Sequence, residues 1–400
     1  MKRLETTFAG LRLKNPFIVS SSSLTNSAEK NRKWEDAGAG AVVLKSLFEE
    51  EIEAEADWMN HGTHTEELDY LQTYQRAHRL DEYLRLIKKT KAMCTIPVIA
   101  SINCYRLTGW TDFAKQMEKA GADAIELNIM SVNTEIADEY GAFEREHIEI
   151  AKKIKQTCNV PFLVKLGKNL TNPIPLIHQL YAHGASGVVL FNRMATPDIN
   201  LKTMKLSRGE VLGNPTDLYE PLRWIGLASH RVPRLSYAAS GGVHDGESMI
   251  KALLVGASAV EVCSVLYKKG AGVIGEMLHA LEAWMEENHC TQISDFKGLM
   301  NAGKTGGGAA FERTQFFKQF GKYDSLLTSP FKRGIKVFSY ANIASAKASK
   351  AGMSPCFMVE RIVTIGSTIS ISFIVSSMPF ITRPAQGAHD PFSMMPTRRF

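Results

Sequence analysis

The sequence predicts an α/β fold of the (β/α)8 TIM-barrel class, followed by a C-terminal tail. Two kinds of marker alternate along the first 265 residues, and each leads into a short apolar run. One marker is a proline, which tolerates the first position of a strand. The other is a Gly-Ala pair, because glycine closes the preceding helix. The prolines are Pro16, Pro97, Pro161 and Pro233, and the glycines are Gly40, Gly121, Gly184 and Gly256.

The eight runs are short and almost continuously apolar or small, as expected for parallel strands covered by helices on their outer faces. In chain order they are Phe17–Ser21, Ala41–Lys45, Ile96–Ser101, Asp123–Asn128, Phe162–Leu166, Ser186–Leu190, Leu235–Ser240 and Ser258–Cys263.

Helical patterns separate most of these runs. They cover Trp110–Ala120, Glu144–Gln156, Pro173–Ala182, Thr216–Ala228 and Ser248–Val255. Strands that alternate with helices indicate a parallel α/β architecture. A doubly wound open sheet is the competing interpretation, but eight strands with a fourfold alternation of markers favour closure into a barrel.

The longest connection, residues 46–95, lies between the second and third strands and contains an acidic run at Glu49-Glu50-Glu51. Loops of this size above a barrel are usually lids or substrate walls. A solvated surface excursion is the alternative.

Charge and composition change after Asp324. The chain has a net charge of +6, but residues 325–400 hold nine Lys or Arg and only two acids. Residues 1–324 are therefore close to neutral, which argues against a nucleic-acid-binding domain. We expect the barrel to occupy 1–324 and residues 325–400 to form an aberrant or disordered tail. Ile362–Thr382 is apolar but rich in Ser and Thr, so a membrane span is not favoured.

The six cysteines are scattered without a C-x-x-C pair, which favours neither a metal site, an iron–sulfur cluster nor a disulfide framework. The first residues lack the apolar run of a signal peptide. A cytoplasmic protein is the expectation.

Polar residues follow the strands at the end where barrel active sites lie. Lys45 and Ser46 end the second strand, and Lys165 lies in the fifth. Such lysines suit electrostatic stabilisation or a Schiff base, although a surface lysine is the plainer alternative for Lys45. The fourth strand leads into Asn128, Ser131 and Asn133, where amides and a hydroxyl suit a planar polar substrate. Asn192 follows the sixth strand.

The seventh strand ends in Ser240-Gly241-Gly242, and the eighth in Cys263-Ser264. Glycines let the backbone approach a ligand, and exposed N–H groups at the start of a helix attract phosphate. The loops after strands seven and eight are the usual phosphate site of these barrels. A plain tight turn is the alternative.

Together, the glycine pair, the two lysines and the Asn-x-x-Ser-x-Asn segment resemble the dihydroorotate dehydrogenase family, from about Leu4 to about Phe320. The resemblance implies an FMN-dependent oxidation of dihydroorotate to orotate in pyrimidine biosynthesis. It implies Ser131 as the catalytic base and Lys45 as a catalytic residue near the flavin. It also implies two sets of binding residues: Lys45, Ser46, Lys165, Asn192, Ser240, Gly241, Gly242, Cys263 and Ser264 for FMN, and Asn60, Asn128 and Asn133 for the substrate.

The substrate half departs from the family pattern. Val132 stands where the family has proline, Met130 is bulkier than the usual residue, and Arg193 replaces a small hydroxyl residue. A flavin barrel acting on another reduced pyrimidine-like ring is therefore one alternative. A flavin-free phosphate-binding lyase or isomerase using Lys45 or Lys165, and a non-catalytic relic, are others. The expected partners are a small-molecule substrate and a soluble electron acceptor or partner reductase, with no nucleic acid and no membrane. Because family members often form dimers, a homodimer is a further expectation.

Overall fold

The computed structural model of the chain describes residues 2–49, 65–104, 107–130, 132, 134–194, 196–305, 309–312, 363–365 and 368–370. The chain divides into two units, residues 1–315 and 316–400. The first unit contains the barrel, and the proposed functional residues all belong to it.

Eight parallel strands form the barrel, which confirms the predicted fold class. They are β1 (Phe17–Val19), β2 (Ala41–Val43), β3 (Val98–Asn103), β4 (Ala124–Asn128), β5 (Phe162–Leu166), β6 (Gly187–Leu190), β7 (Ser236–Ser240) and β8 (Ala259–Val262). Each lies within one of the eight apolar runs or overlaps it closely, because the prolines and glycines mark where the strands begin.

The sheet closes on itself. Every strand pairs in parallel with the next along the chain, and β8 pairs with β1 through Val260 opposite Phe17. The pairing of β2 with β3 includes Val42 opposite Val98. Closure leaves no free edge among these eight strands.

Helices cover the outside of the barrel. They are α1 (Ala28–Asp36), α2 (Thr65–Met93), α3 (Leu107–Lys119), α4 (Ala142–Thr157), α5 (Pro173–Ala182), α6 (Tyr219–Arg231), α7 (Gly246–Leu254), α8 (Ser264–Lys269) and α9 (Gly272–Glu287). A 3₁₀ turn at Pro215–Leu218 precedes α6, so the helix predicted from Thr216 begins three residues later.

In the long connection after β2, for which the sequence suggested a lid, a substrate wall or a surface excursion, the structure describes residues 46–49 and 65–95. A single helix of 29 residues, α2, occupies its second half. Leu80, Tyr83 and Ile87 of this helix are buried in the outer hydrophobic core, at spacings that place them on one helix face. The acidic residues Glu50 and Glu51 lie outside the described part of the chain.

Alternate strand residues point into the barrel, since side chains in a strand change face at every position. The inner core contains Ile18, Ala41, Val43, Ile99, Ala124, Leu163, Val189, Ala238 and Ala259, whereas their strand neighbours belong to the outer core against the helices. A short hairpin that the sequence did not reveal, Thr6–Phe8 with Leu11–Leu13, adds Phe8 and Leu13 to the inner core. The amino-terminal end of the barrel is thus filled with apolar side chains.

A second hairpin, Pro197–Asn200 with Lys205–Arg208, lies in the connection between β6 and α6. Its apolar residues Ile199, Leu201, Met204 and Leu206 are exposed. In the second unit, 363–365 and 368–370 form an antiparallel pair. Within the described residues, the helices are all too short or too polar to cross a bilayer.

Phe8→Ala should lower the free energy of unfolding by about 3–5 kcal/mol, because the fully buried ring fills the end of the barrel and its loss leaves a cavity. Chemical denaturation of the full-length protein measures the change. Leu206→Ala is the control, because Leu206 is 78% exposed on the second hairpin and its truncation should leave stability nearly unchanged. Equal effects of the two substitutions would contradict the role assigned to the first hairpin.

Candidate active site at the carboxyl ends of the barrel strands

The expected site residues that the structure describes occupy the carboxyl-terminal half of the barrel strands or the turns just after them. They are Lys45, Ser46, Asn128, Lys165, Asn192, Ser240, Gly241, Gly242, Cys263 and Ser264. Asn60, Ser131 and Asn133 lie outside the described residues. The roles expected for those three residues therefore stay predictions.

A buried ionic cluster lies inside the barrel, below this end. The Lys165 ammonium from β5 is 2.6 Å from Oε2 of Glu261 on β8 and 3.9 Å from Oε1 of Glu126 on β4. It also donates to Ser20 Oγ at 2.9 Å, and Ser20 Oγ is itself 3.1 Å from Glu261 Oε2. The two glutamates and the lysine are almost completely shielded from solvent. Buried charges are tolerated only when paired in this way.

The protonation of this cluster follows from its charges. Burial raises the pKa of Glu126 well above its usual range, and repulsion from Glu261 adds to the effect, outweighing the attraction of Lys165. Burial alone would lower the pKa of Lys165, but the neighbouring Glu126 and Glu261 outweigh it and raise that pKa. The cluster therefore contains a positive lysine and a carboxyl on Glu126 that favours its protonated form.

Three serine hydroxyls connect Glu126 to the end of the barrel. Ser101 Oγ donates to Glu126 Oε1 at 3.1 Å, and Ser46 Oγ lies 2.7 Å from Ser101 Oγ. Ser21 Oγ, on the turn after β1, lies 3.0 Å from Ser46 Oγ. Tyr83 of α2 fixes the Ser101 backbone from outside, because its hydroxyl accepts from Ser101 N at 2.9 Å and donates to Ser101 O at 3.1 Å.

Two amides meet after β4 and β6. Asn192 Nδ2 donates to Asn128 Oδ1, and Asn192 Oδ1 accepts from the Arg193 backbone N–H at 2.8 Å. With its oxygen engaged by Asn192, Asn128 retains the two N–H donors of its Nδ2 group. Arg193 is held by Asp217 Oδ2 at 2.7 Å and by the Glu210 carbonyl at 2.9 Å, which fixes the start of the β6–α6 connection.

Neighbouring turns after β7 and β8 present backbone donors. In the pairing of β7 with β8, Ser240 lies opposite Glu261. Gly242 and Cys263 each lie two residues further along the chain, so they occupy equivalent places after the two strands. Among the described residues, no acceptor receives the N–H groups of Gly242, Val243, Cys263 or Ser264. Such a group of N–H donors at the strand ends fits a phosphate.

The backbone here needs glycine. Gly241 and Gly242 have φ of +96° and +73°, and a Cβ at Gly242 would overlap the backbone of Leu218. The Ser264 hydroxyl accepts from Gly213 N at 2.8 Å, and Lys268 Nζ donates to Gly213 O at 3.0 Å. These bonds hold the end of the β6–α6 connection against the start of α8.

Lys45 is half-buried, and it continues the inward alternation of Ala41 and Val43 at the end of β2. The side chains of His, Cys, Asp and Glu in the described ranges include no group of three arranged to hold a metal ion.

Sequence reasoning missed Glu126 and Glu261, although a signal was present. Each is a charged residue within an apolar strand, two positions before a predicted site residue, Asn128 or Cys263. A period of two places such a residue on the same inward face. Their meeting with Lys165 required the order and register of β4, β5 and β8, which the sequence pattern alone does not show.

Comparisons with known proteins agree with this architecture. The sequence profile described as "Dihydroorotate dehydrogenase" matches residues 3–285. A relative from Thermoplasma volcanium, named dihydroorotate dehydrogenase B (NAD(+)), catalytic subunit, is 28% identical over 75% of this chain and 99% of its own length.

Two further relatives differ in their names. Dihydroorotate dehydrogenase A (fumarate) of Limosilactobacillus reuteri is 26% identical over 65% of this chain and 86% of its own length. The NAD-dependent dihydropyrimidine dehydrogenase subunit PreA of Escherichia coli is also 26% identical, over 75% of this chain and 77% of its own length.

The profile match covers most of the barrel unit, including every strand and the whole buried cluster. The chain therefore belongs to the dihydroorotate dehydrogenase family of oxidoreductases that act on CH–CH groups.

Proposed function

We propose that this protein is an FMN-dependent oxidoreductase that converts dihydroorotate to orotate in pyrimidine biosynthesis. The observation that carries the proposal is the set of free N–H donors after β7 and β8, next to the buried lysine cluster and the Asn128–Asn192 pair. N–H groups that could bind phosphate, a lysine ammonium and oriented amides all lie toward one end of the barrel. A phosphorylated redox cofactor and a planar polar substrate require such groups.

The phosphate part of FMN fits the turns after β7 and β8. The N–H groups of Gly242, Val243, Cys263 and Ser264 would hold it, with Ser240 and Gly241 shaping the turn that presents them. FMN, when bound, supplies the acceptor for a hydride. The protein's contribution is to hold and orient the reactants at the strand ends.

The floor of the site contains an ammonium group that is fixed in place. Lys165 is anchored by Glu261 and Ser20, so its ammonium needs no rearrangement when a ligand binds above it. Lys45 approaches from β2 and Ser46 adds a hydroxyl. We assign Lys45 the stabilisation of negative charge that develops on the flavin, a role that favours lysine over a neutral side chain.

On the substrate side, Asn128 offers its amide donor to a substrate carbonyl, and Asn192 holds that amide in orientation. We propose that Asn133 and Asn60 complete the substrate contacts and that Ser131 takes the proton. Dihydroorotate loses one proton and one hydride to become orotate. A serine hydroxyl is a weak base, so Ser131 requires a water or a polar chain to remove the proton.

Oxidation or reduction of another pyrimidine-like ring is the second candidate. The relative named dihydropyrimidine dehydrogenase supports it, since its name indicates a different substrate from those of the other two relatives. Arg193 supports it too, because its ion pair with Asp217 places a bulky charged residue beside Asn192.

We further propose a soluble electron acceptor in the cytoplasm, either a small molecule or a partner reductase. One relative is named for fumarate and another for NAD(+), and these names support the two molecules as candidate small acceptors. A homodimer remains part of the proposal by family resemblance alone. Parallel turnover assays with fumarate and with NAD+ distinguish the two small acceptors.

The test of the proposed function is anaerobic mixing of the purified, flavin-loaded protein with dihydroorotate, followed by visible absorbance. We expect the oxidised flavin band to bleach as substrate is consumed. Bleaching with a dihydropyrimidine but not with dihydroorotate would support the second candidate instead. A purified protein that binds no flavin would contradict both.

Ser131→Ala should slow this bleaching by about a hundredfold, because removal of a general base typically costs two or more orders of magnitude. The same variant should retain its FMN, measured as the ratio of flavin to protein absorbance. Loss of the flavin in this variant would mean that Ser131 belongs to the cofactor site rather than to the substrate side.

Lys45→Ala should reduce the rate of flavin reduction by about a hundredfold, since it removes a preorganised charge from the flavin. Stopped-flow absorbance measures the rate, and circular dichroism checks that the fold is retained. Lys89→Ala is the matched control, because Lys89 is an exposed lysine on α2. Unchanged reduction in Lys45→Ala would remove this residue from the site.

A further inference from the structure

Two buried carboxylate oxygens in the ionic cluster have no hydrogen-bond donor. They are Oε2 of Glu126 and Oε1 of Glu261. Glu126 Oε1 and Glu261 Oε2 lie 3.9 Å and 2.6 Å from the same Lys165 ammonium, so the two carboxyls approach each other, and a hydrogen bond between them requires a proton on one of them. A single shared proton would satisfy both oxygens, whereas leaving them unpaired in the barrel interior is costly.

Charge balance leads to the same count of one proton. Lys165 contributes one positive charge to the cluster and lies against Glu261. Two ionised glutamates beside one lysine would leave an uncompensated negative charge at a fully buried position. One proton on the carboxyl pair makes the cluster of Glu126, Glu261 and Lys165 neutral.

The serine chain gives this proton a route to the end of the barrel. Since Glu126 Oε1 accepts from Ser101, Ser101 in turn accepts from Ser46, and Ser46 accepts from Ser21. Ser46 N donates to Ser21 Oγ at 2.9 Å, which leaves the Ser21 proton free to point at Ser46. All three hydroxyls therefore point the same way. Ser21 is half-buried and stands at the outer end of the chain.

We propose that Glu126 and Glu261 store one proton and exchange it with the active-site end of the barrel through Ser101, Ser46 and Ser21. In the inward direction, Ser21 receives a proton from a donor at the strand ends and passes its own to Ser46. Ser46 passes its proton to Ser101, and Ser101 passes its proton to Glu126. The donor loses one proton, the carboxyl pair changes from two negative charges to one, and each serine ends neutral with its hydroxyl reversed. The proton arrives on Glu126 Oε1, and rotation of this carboxyl then turns it from Ser101 toward Glu261, after which the three hydroxyls turn back to their inward orientation.

The outward direction returns the proton to a ligand that gains negative charge at the strand ends. The stored proton would therefore be exchanged with a ligand whose charge changes during its reaction. This inference goes beyond the proposed function, because it holds for any such ligand and does not depend on dihydroorotate as substrate.

Other groups that face the route fix its geometry. Tyr83 holds the Ser101 backbone from α2, and its own pKa is raised by burial, so it stays neutral. Ser20 Oγ hydrogen-bonds to Lys165 and Glu261 but to none of the three hydroxyls of the serine chain. Cys263, the residue after β8, interacts with Lys165 and Glu261 from the side of the proposed phosphate site, and burial raises the pKa of its thiol.

Infrared spectroscopy of the full-length protein tests directly whether Glu126 and Glu261 hold a proton. Protein with isotope-labelled glutamate should show a protonated-carboxyl band at neutral pH, separated by the label from the carbonyls of any bound ligand. Both E126Q and E261Q should remove the band, since each removes one half of the shared site. A wild-type protein with no such band overturns the proposal, and so does a band that survives both substitutions.

The route is tested by the rate at which this band shifts after transfer to heavy water. Ser101→Ala should slow the shift by about tenfold or more, because it interrupts the chain between Ser46 and Glu126. A substitution that merely loosened the barrel would accelerate exchange instead. An unchanged or faster shift in Ser101→Ala overturns the route.

Two matched serines serve as controls for this measurement. Ser20→Ala removes a hydroxyl from the same cluster but not from the chain, and it should exchange at the wild-type rate. Ser229→Ala removes a buried hydroxyl on α6 that donates to Val255 O, and it should also leave the rate unchanged. Slowing by Ser20→Ala equal to that of Ser101→Ala would overturn the serine chain as the route. Because no substrate is present, failure here is distinct from failure of the proposed reaction.

Discussion

Closure of eight parallel strands is the constraint on which the rest of the structure depends. The pairing of β8 with β1 and of β2 with β3 removes the sheet edges and forces every second side chain into a narrow interior. Small and branched residues fill one half of that interior, together with Phe8 and Leu13 from the first hairpin. The same closure brings the carboxyl ends of all eight strands around one opening, where short turns from distant parts of the sequence become neighbours.

The half of the barrel nearer this opening is polar, and its polarity is balanced within the described residues. Lys165 offsets Glu261, the hydroxyls of Ser20 and Ser101 bind the carboxylates, and a proton on Glu126 relieves the remaining charge. Removing one member of such a buried set leaves its partners unpaired, which typically costs about 3–5 kcal/mol. The contacts of Lys165 with Glu261 and Ser20 fix the position of its ammonium. In the proposed function, this preorganised charge would stabilise charge that develops during the reaction.

The parts of the fold that depend on local chemistry could be predicted from the sequence. Pro16, Pro97 and Pro161 mark strand starts because a proline nitrogen has no hydrogen to donate to the ladder, and the Gly-Ala pairs close helices that end beside a strand. The glycine pair after β7 indicated a phosphate turn for a similarly local reason. No part of α2 was predicted, because its sequence has little amphipathic contrast over the whole 29 residues and was interpreted as a loop insertion. The hairpin at Pro197–Arg208 was missed, since neither of its strands packs against the barrel core.

The site was only partly predictable for a different reason. Lys165, Asn128 and Asn192 were proposed as site residues because they stand at strand ends, but their contacts depend on which strands are neighbours and in what register. Asn128 meets Asn192 across β5, 64 residues apart in sequence. Glu126 and Glu261 looked like isolated charges in apolar runs until the barrel closed them around Lys165. The expectations for Asn60, Ser131 and Asn133 stay predictions that require direct observation.

A crystal structure of the full-length protein prepared with FMN tests the central claim most directly. The account predicts density for the phosphate on the N–H groups of Gly242, Val243, Cys263 and Ser264, with the ring system above Lys165 and beside Lys45. Flavin density at another surface of the barrel, or side chains packed into those N–H groups in place of phosphate, would contradict it.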